Sequence, residues 1–426
     1  MRFHSLMVFF VAAGVAAAEE PDPQLRIARL VRQLGSESYE EREAAGAELA
    51  QLGKLTRGEL ELALASEQLE IRLRAAELLK RLKVADLWAA SEVEFGSDGE
   101  LASRVLAAAS EQAGNRILIG DQYGTFHDAP VRLTHERRAF WDLVDDVCRQ
   151  SGNHVRPHYD TRNPGLVVVA GEPGQYPTAH AGPVRAQVTG ARRVFIEELD
   201  YQNLRSEQTH TFQLNLQVMW EDRFRLVAYR SQPDVTEATT DSQVELSAMQ
   251  PAGNGWNVAN AGTRQLAMNI RLNPPPTAAR RLDTLRLRWG LIAVGDMASL
   301  NVENLDSQAP HCQDDLELVV ESIEQRQGAR CEVKLLVTRD LIIPEPQEIL
   351  LLENRVELYD AQGRLFRELG QTNSVTERGA RLCLSFTGDS AESVAKRLRF
   401  VYPRLRSQQD LEIVFRGVPL PAGRPD

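Results

Sequence analysis

Lysine is scarce in this sequence, and a net positive charge is absent. Lys and Arg together number 49 against 60 Asp and Glu, nearly all of the 49 are Arg, and the formal net charge of the 426 residues is −11. A protein that binds nucleic acid through its phosphates needs a basic surface. The composition therefore disfavours a nucleic-acid partner, while 43% of apolar residues is enough for several globular cores.

The sequence also lacks the motifs that carry most enzymatic chemistry. It has no Gly-rich phosphate loop and no Gly-x-Ser-x-Gly nucleophile elbow. The run from His135 to Arg138 begins like a zinc-protease helix, but Ala139 stands where the second His is required. His154 and His158 lie on a predicted strand, ~13 Å apart, which is too far to share a metal ion. We therefore expect no catalytic residue, no metal and no cofactor.

Adjacent carboxylates add no support for catalysis. Asp145-Asp146 and Asp314-Asp315 are neighbours in the chain, so their side chains diverge on a helix or a strand. They cannot flank one bond as a glycosidase pair must. We expect both pairs to be solvated.

Cysteine is rare, with four residues in the chain. An even number favours disulfides in an exported protein, but the spacing argues against them. Cys148 has no nearby second Cys, and a hairpin that sets Cys331 opposite about Ser322 leaves Cys312 ~33 Å away along the strand. The orientation of Cys383 stays open. We expect four free thiols packed as small apolar groups, with Cys331 the most buried.

A long apolar run occurs only at the N-terminus. Arg2 precedes the run Leu6–Val15, and Ala16-Ala17-Ala18 is a small-residue cleavage signature, so residues 1–18 are predicted to be a secretory signal peptide. A membrane anchor is the alternative, but the run is shorter than the ~20 residues that a spanning helix needs. We expect cleavage after Ala18, a periplasmic or secreted protein, and no membrane span in the mature chain.

Residues 22–84 have the apolar period of helices. Four short helices are predicted, with breaks near Gly35, Gly53 and Ser66. Two segments share an acidic start, an Arg-x-x-Ala motif at Arg42 or Arg72, and a late Leu, and they resemble a pair of HEAT-type helical repeats. A plain four-helix unit is the alternative. Two repeats are too few for a free-standing solenoid, so the unit is expected to lean on a neighbour or a partner.

Residues 91–171 repeat a strand–helix–strand pattern, with two helices expected over one small sheet. The first helical face runs from Leu101 to Ala109 and includes Leu106, and the second helix carries Leu143. The turn Gln112-Ala113-Gly114 and the run Ala139-Phe140-Trp141-Asp142-Leu143 resemble the short N-terminal domain of secretins and TonB-dependent receptors. The resemblance implies an α+β (βαβ-βαβ) interaction module of the periplasm.

Beyond residue 182, strand alternation dominates and four segments recur in order. The pairs are Phe212–Trp220 with Cys331–Val337, Leu266–Ile270 with Leu382–Phe386, Ala279–Leu282 with Ala395–Leu398, and Leu300–Val302 with Leu411–Ile413. This order predicts two tandem, mainly antiparallel β-sandwich domains, at residues 183–306 and 307–420. The alternative is that unrelated strands resemble one another in sequence. The predicted fold class is multidomain α and β: a small α-helical HEAT-like unit, an α+β domain and two sandwiches.

Trp256 is the one possible interaction residue that stands out. It follows Gly253-Asn254-Gly255 in a predicted loop, where an exposed ring could stack on a sugar or fill a partner's pocket. Trp220 and Trp289 are in phase with apolar strand positions, so we expect them in the core. We interpret the chain as an exported, non-enzymatic interaction or scaffold protein of the bacterial cell envelope, with an envelope protein as its partner. A carbohydrate-binding or carbohydrate-acting protein that uses a sandwich face is the alternative.

The cleavage site can be checked on the exported protein. We expect mass spectrometry of protein recovered from a periplasmic or medium fraction to show a mature chain that begins at Glu19. Ala18→Arg removes the small residue at the cleavage site, so this variant should accumulate uncleaved. An intact N-terminus on membrane-bound wild-type protein would instead support the anchor.

Overall fold

The computed structural model describes residues 22–421, except residues 121, 157, 159–164, 172–175, 203–204, 250–254, 260–263, 327–328, 340–353, 377–378 and 391. The predicted signal peptide, residues 1–18, therefore lies outside the described residues. Two compact units divide between Ala85 and Asp86. In the described part of the chain, no helix combines the length and the apolar character that a membrane span requires.

The first unit is helical. Its elements are α1 (Pro23–Gln33), α2 (Tyr39–Leu52), a 3₁₀ turn (Gly53–Thr56), α3 (Arg57–Ala63) and α4 (Leu69–Trp88). The side-chain oxygens of Asp22 and Ser38 cap α1 and α2. Apolar side chains from all four helices share one core, which includes Ile27, Leu30, Leu49, Leu60, Ile71 and Leu78. The four predicted helices and their breaks are confirmed, although α4 ends beyond the predicted boundary at residue 84.

The two Arg-x-x-Ala segments of this unit have the same local structure. Arg42 Nη1 donates to the carbonyl oxygens six and five residues before it, at 2.7 and 3.0 Å. Arg72 Nη1 makes the equivalent bonds at 2.7 and 2.9 Å. The Ala three residues after each Arg is buried. The repeat in the sequence is therefore also a repeat in the structure, and its HEAT character stays a prediction.

The second unit contains the predicted α+β region. Its elements are β1 (Glu92–Leu101), α5 (Ala102–Ala113), β2 (Ile117–Leu118), β3 (Pro130–Ala139), α6 (Phe140–Ser151), β4 (Asn153–Arg156) and β5 (Leu166–Ala170). β1 pairs with β3, while β5 pairs in parallel with β2 and antiparallel with β4. Both helices end at a glycine in the left-handed region, Gly114 at φ 66° and Gly152 at φ 72°, where a Cβ would be strained.

The predicted order of these elements is confirmed, but they form two sheets and not one. β2 has only two residues, and among the described strands it pairs with β5 and not with the β1–β3 ribbon. Leu106 and Leu143 are 1% and 0% exposed and lie in one core, as expected. Leu101 does not belong to the helical face, because it is the last residue of β1 and is 39% exposed.

The remaining strands are numbered in chain order. They are β6 (Thr178–Ala181), β7 (Val184–Asp200), β8 (Arg205–Trp220), β9 (Arg225–Arg230), β10 (Asp234–Thr240), β11 (Trp256–Val258), β12 (Gln265–Leu272), β13 (Arg281–Val302), β14 (His311–Gln313), β15 (Leu316–Gln325), β16 (Arg330–Arg339), β17 (Arg355–Asp360), β18 (Arg367–Thr376), β19 (Gly379–Thr387) and β20 (Ala395–Pro419). The first outer sheet has the order β12-β8-β7-β6, and the second outer sheet has the order β14-β15-β16-β19-β18. The shared sheet has the order β11-β9-β13-β20-β17, with β10 also on β13.

The shared sheet corrects the predicted boundary between residues 306 and 307. β13 comes from the first predicted sandwich and β20 from the second, yet they pair from Arg281–Pro419 to Val302–Leu398. The strands have 22 and 25 residues, more than one sandwich layer usually needs. The end of β13 therefore lies in the core of the second outer sheet, beside Leu398 and Phe400 of β20. The two predicted domains are parts of one continuous β structure.

Three of the four recurring segment pairs occupy equivalent positions. The β8–β12 pairs Leu214–Ile270, Leu216–Met268 and Val218–Leu266 match the β16–β19 pairs Cys331–Phe386, Val333–Leu384 and Leu335–Leu382. Leu282 pairs with Val418, and its counterpart Leu398 pairs with Val302. Val302 is therefore equivalent to Val418, so the predicted match of Leu300–Val302 with Leu411–Ile413 is wrong.

The cysteines are free, but they are not all packed. Cys331 is fully buried, as expected, and Cys148 is buried, whereas Cys383 is half-buried and Cys312 is exposed. Cys331 pairs with Gln325 and not with Ser322. Cys312 lies on β14, which folds back on β15, so the predicted straight extension of the strand to Cys312 is also wrong.

The core of the α+β region can be tested by truncation. Leu106→Ala and Leu143→Ala each remove a fully buried side chain and should lower the free energy of unfolding by about 2–5 kcal/mol. Leu101→Ala, at a partly exposed position, is the matched control and should cost less than about 1 kcal/mol. Urea denaturation measures all three, and equal losses at Leu101 and Leu143 would contradict this packing.

Candidate functional site

A polar cavity lies between the α+β region and the first outer sheet. Its volume is about 450 Å³. α6 and β4 form one wall, and the β6–β7 hairpin forms the other. The side chains that matter for its chemistry are Asp142, Asp145, Cys148, His154, His180 and Arg185.

The hairpin brings two of these groups together from opposite strands. His180 on β6 pairs directly with Arg185 on β7. The turn between them needs Gly182, which has φ 54° and at which a Cβ would collide with the carbonyl oxygen of Trp88. On the other wall, Asp142 and Asp145 lie one helical turn apart and face the same way.

His180 bridges the two carboxylates. Its Nδ1 lies 2.7 Å from Asp142 Oδ1, and its Nε2 lies 2.7 Å from Asp145 Oδ2. Both nitrogens can donate only when the ring is doubly protonated. The ring then joins the β6–β7 hairpin to α6 by two charge-assisted hydrogen bonds.

Arg185 completes the network from a buried position. It is 5% exposed, its Nε lies 3.0 Å from Asp145 Oδ2, and its Nη1 donates to Gln187 Oε1 at 2.7 Å. The guanidinium also lies 5.9 Å from the ring centre of Trp141, whose Nε1 donates to the carbonyl oxygen of Pro183 at 3.0 Å. A buried cation is costly unless it is paired, so Asp145 and Arg185 depend on each other.

The environment shifts the pKa of three groups. Burial alone would raise the pKa of Asp145, but the charge of Arg185 and the hydrogen bond with His180 outweigh it and hold that pKa below its ordinary value. Burial, helped by Asp145, raises the pKa of the Cys148 thiol to about 12. Burial also lowers the pKa of His154, and Arg156 and Arg185 add to this effect.

These groups join α6 to the β6–β7 hairpin. Both ring nitrogens of His180 lie within hydrogen-bond distance of carboxylate oxygens of α6. The Cys148 thiol stays protonated, and a thiolate is the nucleophilic form. Within the described ranges, no group of three or more His, Cys, Asp or Glu side chains is placed to hold a metal ion. The network therefore binds α6 to the β6–β7 hairpin.

A second polar joint lies at the start of β1. Glu221 is fully buried and accepts a hydrogen bond from the backbone N–H of Ser91 at 3.0 Å and another from Arg223 Nε at 3.0 Å. Nearby, Asn115 Oδ1 accepts from the N–H of Asp222 at 2.7 Å, and Asp222 Oδ2 accepts from the N–H of Arg116 at 2.8 Å. The α+β region is thus fixed to the β structure at two points.

Trp256 does not lie in a loop. It begins β11, which pairs with β9, and it is half-buried. The guanidinium carbon of Arg230 lies 4.9 Å from its ring centre, so one face of the ring is covered by a cation. Trp220 and Trp289 are each 1% exposed, and their predicted place in the core is confirmed.

Sequence reasoning missed the polar network. Asp145-Asp146 was expected to be solvated, and for Asp145 this is wrong, because its side chain is 17% exposed and holds Arg185. No local signal reveals it, because Val184-Arg185-Ala186-Gln187-Val188 alternates apolar and polar residues as a half-exposed strand does. A strand with apolar residues on one face and long polar residues on the other, all buried, must pack on both faces. Asp314 and Asp315 do diverge, toward Arg404 and Arg339.

Comparisons with family models, with curated proteins and with solved structures found no match to this chain.

Asp145→Asn tests the joint. At pH 7 it should cost about 3–5 kcal/mol, because it leaves Arg185 buried without its counter-ion. The folded-state pKa of Asp145 is depressed, so its stabilisation is present above the ordinary Asp pKa of about 3.9 and is lost as the pH falls through the folded-state value. The difference in the free energy of unfolding between Asp145→Asn and the wild type should therefore become smaller below about pH 4.

Asp142→Asn is the matched control for this experiment. Asp142 binds the same His180, but its side chain is 57% exposed, so the loss should stay below about 1 kcal/mol. Urea denaturation at a series of pH values measures both variants. Equal losses for the two, or a gap for Asp145→Asn that does not change with pH, would contradict the role assigned to Asp145.

Proposed function

We propose that this chain is an exported, non-enzymatic protein-interaction or scaffold protein of the bacterial cell envelope. The predicted signal peptide supports export. The chemistry of the polar cavity supports a mechanical role for its charged groups. The resemblance of residues 91–171 to an interaction module of periplasmic proteins agrees with both.

The observation that carries the proposal is the apolar surface of the helical unit. Leu62 on α3 and Leu69 and Leu73 on α4 are 71%, 59% and 57% exposed. Leu69 and Leu73 are one turn apart, so they lie side by side on the helix. Their neighbour Ile71 points the other way, into the core. α4 therefore buries one apolar face in the core and exposes further apolar side chains on its outer surface.

Single exposed apolar side chains are normal on protein surfaces. Residues 22–85 expose several large apolar side chains, which are Leu25, Tyr39, Leu55, Leu62, Leu64, Leu69 and Leu73. A pair of helical repeats has too little core for a free-standing solenoid. A protein partner that covers some of these leucines would add the missing apolar contacts.

Sugar binding receives less support. A sugar-binding sheet typically presents several aromatic rings to stack on the ligand. The exposed aromatic residues among the described side chains are Tyr39, Tyr176, Phe195 and Tyr201, and Trp256 is covered by Arg230. These residues give no row across a sandwich face.

A photocrosslinker placed at Leu73 tests the proposal. With benzoylphenylalanine at Leu73 in the full chain, irradiation of the producing cells should yield one discrete adduct with an envelope protein, because a partner that covers this face brings its atoms to the ring. The matched control is Arg81, on the same helix, whose side chain is 67% exposed. Gel mobility and mass spectrometry identify the adduct.

The paired variant Leu69→Ser/Leu73→Ser should lose the complex with little change in melting temperature, since both side chains are exposed. No adduct at Leu73, or the same adducts at Leu73 and Arg81, would count against a partner on this face. A large drop in melting temperature of the double variant would show that these leucines serve the fold.

A further inference from the structure

The β7–β8 hairpin extends beyond its sheet. β6 pairs with β7 only from Val184 to Gln187, and β12 pairs with β8 only from Phe212 to Met219. The two strands nevertheless continue to pair with each other as far as Asp200 and Arg205. From Gly190 to Asp200, the outer edge of β7 has no strand partner among the described residues.

This two-stranded ribbon is unusually apolar for a free edge. Phe195, Ile196, Leu199 and Tyr201 are 57%, 43%, 47% and 82% exposed. Successive residues of a strand point to opposite faces, so Phe195 and Ile196 place apolar surface on both. Residues 191–199 contain no Lys and no Pro, two residue types that block the pairing of an exposed edge, and their four charges are two Arg and two Glu. An isolated two-stranded ribbon is only marginally stable in water.

The charged residues along this edge are placed symmetrically about Phe195, with positive charges on one side and negative charges on the other. Arg192 and Arg193 precede Val194-Phe195-Ile196, and Glu197 and Glu198 follow. An antiparallel copy centred on Phe195 sets Arg192 opposite Glu198 and Arg193 opposite Glu197. Opposite charges directly across two strands stabilise the pair. In a two-fold symmetric dimer, each of these contacts occurs twice.

Other registers lose this match. Two identical antiparallel edges can bond only where residues of the same parity face each other, because outward backbone groups alternate along a strand. The nearest allowed shifts centre on Val194 or Ile196, and they set Arg192 opposite Ile196 or Val194 opposite Glu198. A parallel, in-register pair would set Arg opposite Arg. Only the register centred on Phe195 pairs all four charges.

We propose that a second copy of this chain binds at this edge, with β7 pairing antiparallel to β7 of the partner about Phe195. The Arg192–Glu198 contact contributes most of the charge complementarity. Arg193 is half-buried, and its guanidinium donates to the carbonyl oxygens of Pro275 and Pro276. Arg192 is exposed, and its Nε donates to Gln213 Oε1 at 2.8 Å. The inference goes beyond the proposed function, since it uses neither the helical unit nor an envelope partner.

Charge reversal provides the first test on the full mature chain. Arg192→Glu or Glu198→Arg alone places like charges opposite each other twice, so each should raise the dimer dissociation constant about tenfold or more. Mixing the two variants restores opposite charges at both contacts and should restore the dimer as a heterodimer. Sedimentation velocity over a concentration series measures this, and unchanged melting temperatures show that the fold is retained.

Disulfide trapping fixes the register. In a Cys312→Ser/Cys383→Ser background, Phe195→Cys sets two Cα atoms ~4.5–5.5 Å apart across the axis, within the range of a disulfide. Mild oxidation should give a linked dimer. Leu199→Cys, at a position that is also exposed, is the control. Its two copies would lie ~26 Å apart along the strands, so this variant should stay monomeric on a non-reducing gel.

Three results would overturn the proposal. These are a monomer at every concentration, a dimer that neither charge reversal weakens, and equal trapping at Phe195→Cys and Leu199→Cys. A chain that dimerises as described but gives no adduct at Leu73 would support this inference and contradict the proposed envelope partner.

Discussion

The antiparallel ladder between β13 and β20 holds the β half of the chain together. The two strands come from different sequence copies and pair along nearly their whole length, so the backbone hydrogen bonds of one copy are completed by the other. Trp289 on β13 and Tyr402 on β20 are buried. A slip of one residue would turn both rings to the opposite face. The register is therefore fixed by packing along the whole ladder.

Charge, in contrast, attaches the α+β region to this β structure. Arg185 and Glu221 are buried, and each is satisfied by groups from the α+β side of the joint, Asp145 for Arg185 and the Ser91 N–H for Glu221. Buried ion pairs add little net stability compared with apolar packing, but breaking one is costly. Such contacts select one docking orientation, because a shifted domain would leave a buried charge unpaired.

Among the described residues, the exposed apolar side chains include leucines of the helical unit and Phe195, Ile196 and Leu199 on the β7 edge. The proposed envelope partner would cover leucines of the helical unit. The β7 edge offers backbone hydrogen bonds and a self-complementary charge order, which suit an identical strand. The two proposals therefore use different surfaces of the chain.

The sequence by itself determined the local elements of this protein. The helical period and the breaks near Gly35, Gly53 and Ser66 located the four helices. Strand alternation located Leu214–Val218 and Cys331–Leu335 with the correct equivalence between copies. Leu106, Leu143, Trp220 and Trp289 could be assigned to the core because their phase is a local property.

Only the tertiary structure decided which strands pair and which charges are buried. β13 and β20 are more than 90 residues apart in the chain, and nothing local distinguishes a partner in the same copy from one in the other. The burial of Asp145 depends on Arg185, which lies 40 residues away, and the cover of Trp256 depends on Arg230 from a neighbouring strand. These contacts follow from long-range pairing, which the pattern of a single segment does not encode.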